Sequence, residues 1–197
     1  MKCPVCGMGY VPENPDDRRE HDRYHDTVVN GVLARGAKSD RIIWERDDFR
    51  ITVVDSSSSP AQKKRAERIA GVCNSETRYT FGVYDACEPM CECDTHLFLL
   101  YHQSRLIGIL KMEKKSTIWR DDREGITELL RHPPVWSVVL VYVHKKHRRQ
   151  GLASSLLGEA LRFFGISMQE VGWYTPFTDL GEEFVNRHCP DWYLIAK

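Results

Sequence analysis

The alternation of apolar and polar residues predicts a chain of short strands separated by amphipathic helices. Strands are indicated where β-branched and aromatic residues run together between turn signals. These runs form two hairpins, at 41–54 and 95–114, and single strands at 77–85, 171–178 and 191–196.

One run is apolar throughout instead of alternating. The segment VWSVVLVYV at 135–143 has this character, which is typical of a central strand that is buried on both faces of a sheet. Helical spacing predicts helices from Pro60 onward, over 152–164 and over 179–188, and we expect a short helix within the insertion 121–134. The order of elements predicts an α/β class, a mixed and mostly antiparallel sheet flanked by helices.

Composition narrows the class of protein. The 197 residues are 42% hydrophobic, which is enough for one globular domain with a small appendage. The formal net charge is zero, so no overall field attracts the chain to nucleic acid or to an anionic membrane. Because the longest apolar run is too short to cross a bilayer, no membrane association is expected.

The cysteine count and the N-terminus predict where the chain works. There are seven cysteines, an odd number, and the segment MKCPVCGM has no apolar core of signal-peptide length. Reduced thiols or metal ligands are therefore expected in place of disulfides. We expect an intracellular, cytoplasmic protein, or a nuclear one if the source is eukaryotic.

A metal site is predicted in the first 32 residues. Cys3, Cys6, His21 and His25 have the spacing C-x2-C-x14-H-x3-H, and a helix places histidines four positions apart on one face. Thiolates and imidazoles are the ligands of tetrahedral structural zinc. The segment lacks the apolar content for a core of its own, so a C2H2-type zinc finger is expected at 1–32, followed by the main domain at 38–197.

Charge argues against this finger being a DNA reader. Fingers that read DNA usually occur in tandem and bind phosphate with basic side chains. Residues 1–30 hold four basic side chains against six acidic ones, so the segment repels phosphate. Direct DNA binding is therefore not expected, and the finger is interpreted as a structural or protein-docking element.

A basic turn follows the apolar strand and opens an amphipathic helix. Arg148, Gly151 and Ala153 form the pattern R-x-x-G-x-A. Small residues let a ligand approach the backbone, and the unpaired amides of a helix start can bind a diphosphate. A solvated basic loop that caps a sheet is the alternative interpretation of the same pattern.

The finger and this turn together resemble the cohesin acetyltransferase family, which joins a C2H2 finger to a GNAT acetyltransferase domain. The finger reads C-x2-C-G-M-x-Y, and the closing segment YTPFTDLGEEFVNRH is similar to that family's final segment. The strands RIIWERDDFRITVV and LIGILKMEKKS are also similar. Phe177 stands where the family has proline, and Pro176 stands where some members have an acidic residue.

The resemblance implies transfer of acetyl from acetyl-CoA to an amine by direct attack in a ternary complex, with zinc as a structural ion. The acceptor that the resemblance implies is a protein lysine, in a chromatin or cohesin-like protein. A small amine and a non-catalytic CoA-binding module are the alternatives. The implied cofactor-binding residues are Val141, Tyr142, Val143, Arg148, Arg149, Gln150, Gly151, Leu152, Ala153, Ser154, Thr178, Asp179 and Leu180.

The substrate amine arrives protonated and needs a base. Glu159 and Glu113 are the carboxylate candidates, and a surface position is the alternative for each. Thr175 matches a family serine that could hydrogen-bond the substrate or the leaving thiol. Cys87, Cys91 and Cys93 could bind a second metal, although free thiols in a loop are the simpler interpretation.

Overall fold

In a computed structural model, the chain is described at residues 1–77, 94–125, 127–130 and 133–196, with the backbone alone at 127–130. Four helices are defined in these ranges, and each of the last three begins at or near a helix-start signal in the sequence. Their bounds are α1 (Pro15–Asn30), α2 (Pro60–Thr77), α3 (Leu152–Phe164) and α4 (Asp179–His188).

One sheet organises the ten strands of the described residues. Its order is β2-β3-β4-β5-β8-β9-β10-β6-β7, and β1 pairs with β5. The β8–β9 and β9–β10 pairs are parallel and the others antiparallel. The bounds are β1 (Val32–Leu33), β2 (Arg41–Arg46), β3 (Phe49–Val54), β4 (Thr95–His102), β5 (Arg105–Lys115), β6 (Ile118–Asp121), β7 (Thr127–Leu130), β8 (Val135–Val143), β9 (Gly172–Tyr174) and β10 (Tyr193–Ala196).

The sheet carries an apolar core on each face, which explains its nearly continuous hydrophobic strands. On one face, Ile69 and Ala70 of α2 pack with Leu97 and Leu99 of β4. On the other, α3 packs against the alternate residues of the same strands, such as Phe98. The central strands β4, β5 and β8 are therefore buried from both sides.

Both predicted hairpins and the central strand at 135–143 are confirmed. The first turn lies at Asp47, whose φ is 52°, and the second at Gln103, as the sequence indicated. The helices from Pro60, over 152–164 and over 179–188 are also confirmed. The predicted strand at 171–178 is shorter, because only Gly172–Tyr174 pairs with neighbours.

The prediction of a short helix within 121–134 is wrong. β6 and β7 form an antiparallel hairpin there, and β6 also pairs with β10. β10 lies 72 to 78 positions after the β6 residues with which it pairs, so local spacing could not reveal that pairing. The predicted strand at 77–85 and the cysteines Cys87, Cys91 and Cys93 lie outside the described residues, except that Thr77 ends α2.

Candidate active site and metal centre

The four predicted zinc ligands come together in the N-terminal segment. The ligand atoms of Cys3, Cys6, His21 and His25 all lie within 4.8 Å of one another. Asn14 caps α1 by accepting from the backbone of Asp16 and Asp17. The helix then presents His21 and His25 on one face, towards the Cys3–Cys6 turn.

The local hydrogen bonds suit a metal. The backbone N–H of Cys6, the side chain of His21 and the backbone of Val5 lower the pKa of the Cys3 thiol to about 5. His21 is buried; its Nδ1 lies 3.2 Å from Asp22 Oδ1, and its ring stacks on Tyr10 at 3.9 Å between centroids.

His21 Nε2 is buried beside the Cys3 thiol and makes no hydrogen bond of good geometry, which is costly unless something satisfies it. Zinc–sulfur bonds of about 2.3 Å at tetrahedral angles place ligand atoms about 3.8 Å apart. Zinc therefore fits the observed distances between the ligand atoms. It also fits the thiolate character of Cys3 and the unsatisfied nitrogen of His21.

A gap opens in the sheet between β8 and β9. These parallel strands pair only at Ser137–Gly172 and Val138–Trp173. Beyond Val138, no strand of the described chain pairs with β8 on that side. A β-bulge on the β5 side leaves Val139 between the Lys111–Leu140 and Met112–Val138 pairs, and bulges bend a strand and raise its twist.

The loop after β8 leads directly into α3. A 3-10 turn spans Lys145–His147, and Arg149 and Gly151 then adopt left-handed conformations with φ of 62° and 76°. Gly151 precedes Leu152, the first helical residue, and no side chain caps the helix start. The first amides of α3 are therefore available to an anion.

Two adjoining cavities occupy this region. The first, the loop cavity, has a volume of about 210 Å³ and lies between the loop, the end of β8 and α4. The second, the gap cavity, has a volume of about 350 Å³ and lies between β8, β9 and α4. Val141, Tyr142, Thr77 and Thr178 line both, so the cavities form one groove.

All the predicted cofactor-binding residues except Gln150 and Asp179 line the loop cavity. The groove can therefore hold an elongated ligand with an anionic group at the α3 start and an apolar arm beside β8.

The two arginines of the loop have carboxylate partners. Arg148 donates from Nε to the Val143 carbonyl oxygen at 2.8 Å and from Nη2 to Glu76 Oε1 at 2.5 Å. Tyr142 also donates its hydroxyl hydrogen to Glu76, at 2.6 Å, and burial raises the pKa of this phenol. Arg148 therefore fastens the loop to α2 and β8.

The three predicted catalytic residues lie in different surroundings. Glu113 is buried on β5 and forms ion pairs with Lys111 at 2.6 Å and Lys115 at 2.7 Å. Burial raises the pKa of this carboxyl, but the hydrogen bonds from the two lysines prevail and lower it. Glu113 is therefore ionised at neutral pH.

Thr175 lies between Tyr174 and Pro176, which line the gap cavity. Glu159 is buried on α3 and paired with Arg162, and it does not line either cavity. The structure thus brings Thr175 close to the groove and leaves both Glu113 and Glu159 outside its walls.

Sequence reasoning missed the face of α4 that closes the loop cavity. Glu183, Phe184 and Arg187, which were not predicted, line it together with the predicted Leu180. Their i, i+3, i+4 and i+7 spacing, after the N-cap Thr178, was the available signal. Glu76 was missed because its role depends on two partners distant in sequence.

The splayed sheet, the bulge and the uncapped helix start define the class as a GNAT-type acetyltransferase domain, and comparison with known proteins agrees. Residues 64–166 match the family model of the acetyltransferase (GNAT) family, and residues 1–27 match that of the zinc finger of acetyl-transferase ESCO. Since the first match covers more than half of the chain, this chain belongs to the GNAT acetyltransferase family.

Curated relatives share both parts. N-acetyltransferase ESCO1 of Homo sapiens is 24% identical over 96% of this chain and 25% of its own length. N-acetyltransferase ESCO2 of Homo sapiens is 26% identical over 95% of this chain and 33% of its own length. This chain thus spans a quarter to a third of the length of these relatives. The predicted resemblance to the cohesin acetyltransferase family is confirmed.

The same fold occurs in a solved structure. The xEco2 acetyltransferase domain bound to a K105-CoA conjugate has a TM-score of 0.65 and 20% identity, over 80% of this chain and 98% of that one. The predicted fold class is therefore confirmed. Among the described residues, no helix has the length and apolar character needed to span a membrane.

Proposed function

We propose that this chain transfers the acetyl group of acetyl-CoA to the side-chain amine of a lysine in a protein. The observation that carries the proposal is the groove formed by the β8–β9 gap and the uncapped start of α3. Its two ends suit the apolar arm and the diphosphate of CoA.

Backbone groups of Val141–Val143 hold the pantetheine arm where β8 lacks a strand partner, and the amides from Arg149 to Ser154 hold the diphosphate. Thr178–Leu180 approach the arm from α4. A backbone N–H near Val141 donates to the carbonyl oxygen of the acetyl group as negative charge develops there. Bound acetyl-CoA would supply a thioester whose C–S bond breaks after the C–N bond has formed, with CoA leaving as its thiolate.

Glu113 is the proposed general base in preference to Glu159, although neither carboxylate lines the groove. Its carboxylate is ionised, and its β5 position pairs with Ser137, two residues before the bulge at Val139. A lysine amine has a pKa of about 10.4 and must lose a proton before attack. Glu113 accepts this proton through water, and Thr175 hydrogen-bonds the substrate or the leaving sulfur.

The acceptor class rests on the relatives. The similar xEco2 domain was solved with a K105-CoA conjugate, and the full-length relatives are named N-acetyltransferases. A chromatin or cohesin-like protein is the proposed partner. An intracellular location, nuclear in a eukaryote, agrees with the absence of a disulfide among Cys3, Cys6, Cys73 and Cys189, the cysteines of the described residues.

The test has two stages. Calorimetric titration of CoA into the purified chain measures binding, and labelled acetyl-CoA with lysine-containing proteins and peptides measures transfer by mass spectrometry. Glu113→Gln, Glu159→Gln and Thr175→Ala are then compared at matched CoA saturation. We expect Glu113→Gln to lower kcat by about 100-fold or more, and Glu159→Gln to leave it nearly unchanged.

The competing functions give different results in the same assays. CoA binding without transfer to any amine would indicate a non-catalytic module. Transfer to small amines but not to protein lysine would indicate a small-molecule acetyltransferase. Absence of CoA binding would reject the acetyltransferase proposal altogether.

A further inference from the structure

A buried histidine connects the finger helix to the loop that leads into α3. His144 follows β8 and is 0% exposed. Its Nε2 lies 2.9 Å from the Val28 carbonyl oxygen on α1, and its Nδ1 accepts from the Lys146 backbone N–H at 3.4 Å. Because a carbonyl oxygen only accepts, Nε2 carries the hydrogen and Nδ1 the lone pair.

Two more contacts lie on either side of this histidine. Arg105 donates to both carboxylate oxygens of Asp26, at 2.5 and 3.1 Å, and to the Gly31 carbonyl oxygen at 3.1 Å. Lys146 Nζ donates to Asn30 Oδ1 at 2.6 Å. All three contacts reach the last two turns of α1, directly after the predicted zinc ligand His25.

The three contacts differ in strength. The Arg105–Asp26 pair is part-exposed and the Lys146–Asn30 bond is exposed, so water can replace either partner at low cost. The imidazole of His144 has no access to water, and loss of Val28 would leave a buried N–H without an acceptor. His144 is therefore the contact through which displacement of α1 would most affect the loop.

We propose that His144 couples the finger to the diphosphate-binding loop, so that zinc and CoA bind this chain with positive cooperativity. The proposal rests on the proposed function, because it requires that the loop after β8 bind CoA. His144 touches neither ligand in this scheme; it is a positioning residue.

The physical basis is the ordering of α1. His21 and His25 lie on this helix, and the segment has little apolar core to hold it in the absence of metal. When α1 loosens, the Val28 carbonyl no longer fixes the imidazole, and the turn at Lys145–His147 loses its acceptor at Nδ1. CoA must then order the loop as it binds, which weakens its affinity. Linkage requires CoA to raise zinc affinity by the same factor.

Two titrations with the full chain test this coupling. CoA is titrated by calorimetry into zinc-loaded protein and into protein dialysed against a chelator, and zinc is titrated with and without saturating CoA. We expect removal of zinc to raise the Kd of CoA about five- to tenfold, and CoA to lower the Kd of zinc by an equal factor. Circular dichroism verifies that the sheet stays folded.

Two substitutions at one position separate the two bonds of the imidazole. In His144→Asn the amide oxygen can replace Nδ1 but does not reach Val28, whereas in His144→Gln the amide nitrogen can replace Nε2. We expect His144→Asn to bind CoA as weakly as zinc-free wild-type protein and to be insensitive to the chelator. His144→Gln should keep most of the zinc dependence.

Asn30→Ala, which removes the exposed bond from Lys146 and a part-buried bond to Asp26, serves as a second variant if His144→Asn fails to fold, and should weaken the coupling by about twofold. Equal CoA affinity with and without zinc in the wild-type chain would overturn the inference. Zinc-loaded protein that does not bind CoA at all would instead reject the proposed function, so the two failures are distinguishable.

Discussion

Arg149 and Glu183 form a two-bond ion pair across the mouth of the loop cavity. Nη1 lies 2.6 Å from Oε1 and Nη2 lies 3.0 Å from Oε2, and Arg187 also contacts Oε1, at 3.3 Å. Hydrogen bonding to Arg149 lowers the pKa of the Glu183 carboxyl. The Glu183 carboxylate thus binds the Arg149 guanidinium, which would otherwise be available to a diphosphate.

Removal of this carboxylate should strengthen CoA binding. Glu183→Gln frees Arg149 and takes one negative charge from the cavity wall. Since both side chains are largely exposed, the gain should be modest, a two- to fivefold fall in the Kd of CoA. Calorimetry at low and moderate salt measures it.

Glu182→Gln provides the control, because it removes the same charge from the adjacent exposed residue, which does not line the loop cavity. Pantetheine, which lacks the diphosphate, should bind both variants as it binds the wild-type chain. Weaker CoA binding in Glu183→Gln would show that the ion pair supports the loop and does not compete with the ligand.

The apex of the β8–β9 gap depends on a glycine. A Cβ added at Gly172 would lie 2.3 Å from Ser137 Oγ and 3.1 Å from Ser137 Cβ. Gly172→Ala should therefore force the two strands apart and lower the free energy of unfolding by about 1–3 kcal/mol. Urea denaturation measures the change, and Gly172→Ala combined with Ser137→Ala should recover part of it.

Gly158 on α3 is the matched control, because an added Cβ there meets nothing within 4 Å. Gly158→Ala should raise the free energy of unfolding by about 0.5–1 kcal/mol through helix propensity. If both alanine variants were equally stable, the close approach at Gly172 would have no energetic importance.

His96 should make stability depend on pH. Burial lowers its pKa, so below about pH 6.5 the unfolded chain binds a proton that the folded chain resists. The contribution of neutral His96 to the free energy of unfolding is therefore fully present above pH 6.5. It is lost as the pH falls through the pKa of His96 in the folded chain. Its charged neighbours are Asp55 and Asp94, which raise the pKa, and Arg41 and Lys114, which lower it.

His96→Phe should flatten the pH dependence without a large loss of stability at pH 7.5. The imidazole lies among the rings of Trp136, Phe163 and Phe164, and its Nδ1 is buried without a partner. Phenylalanine suits these surroundings. Urea denaturation at pH 5.0 and 7.5 measures the difference, and an unchanged difference would assign the pH dependence to other groups.

The finger should hold one metal ion per chain. Cobalt added to the zinc-free protein should give the absorption of a tetrahedral site with two thiolates and two imidazoles. Cys3→Ser should abolish the thiolate bands, whereas Cys73→Ala, which removes a buried thiol on α2, should preserve them. Equal loss in both variants would indicate general unfolding and not loss of a ligand.

Much of the site could be predicted because it depends on residues close together in sequence. The finger needs two pairs of ligands at short spacing, and the helix between them carries one pair. The R-x-x-G-x-A turn requires only a buried strand before it and a helix after it. Local periodicity and residue type establish such features, and the structure places these residues as the sequence indicated.

The remaining features arise between distant segments. The β6–β7 hairpin stands where a helix was predicted, and its β6 strand also pairs with the distant β10, which no local pattern reveals. Arg148 was interpreted as a phosphate ligand, yet its position depends on Glu76, seventy-two residues earlier. The sequence likewise could not show that Glu113 pairs with Ser137 of β8, two residues before the bulge, because that pairing joins separate strands.

By itself the sequence determined the ligand set of the finger, the central strand and the helix that opens with an uncapped glycine turn. These follow from side-chain chemistry and backbone periodicity, which act over a few residues. Only the tertiary structure decided that β8 parts from β9, that α4 closes the groove and that His144 joins the finger to the loop. Such contacts form only when packing brings distant segments together, so the local sequence around each residue does not indicate them.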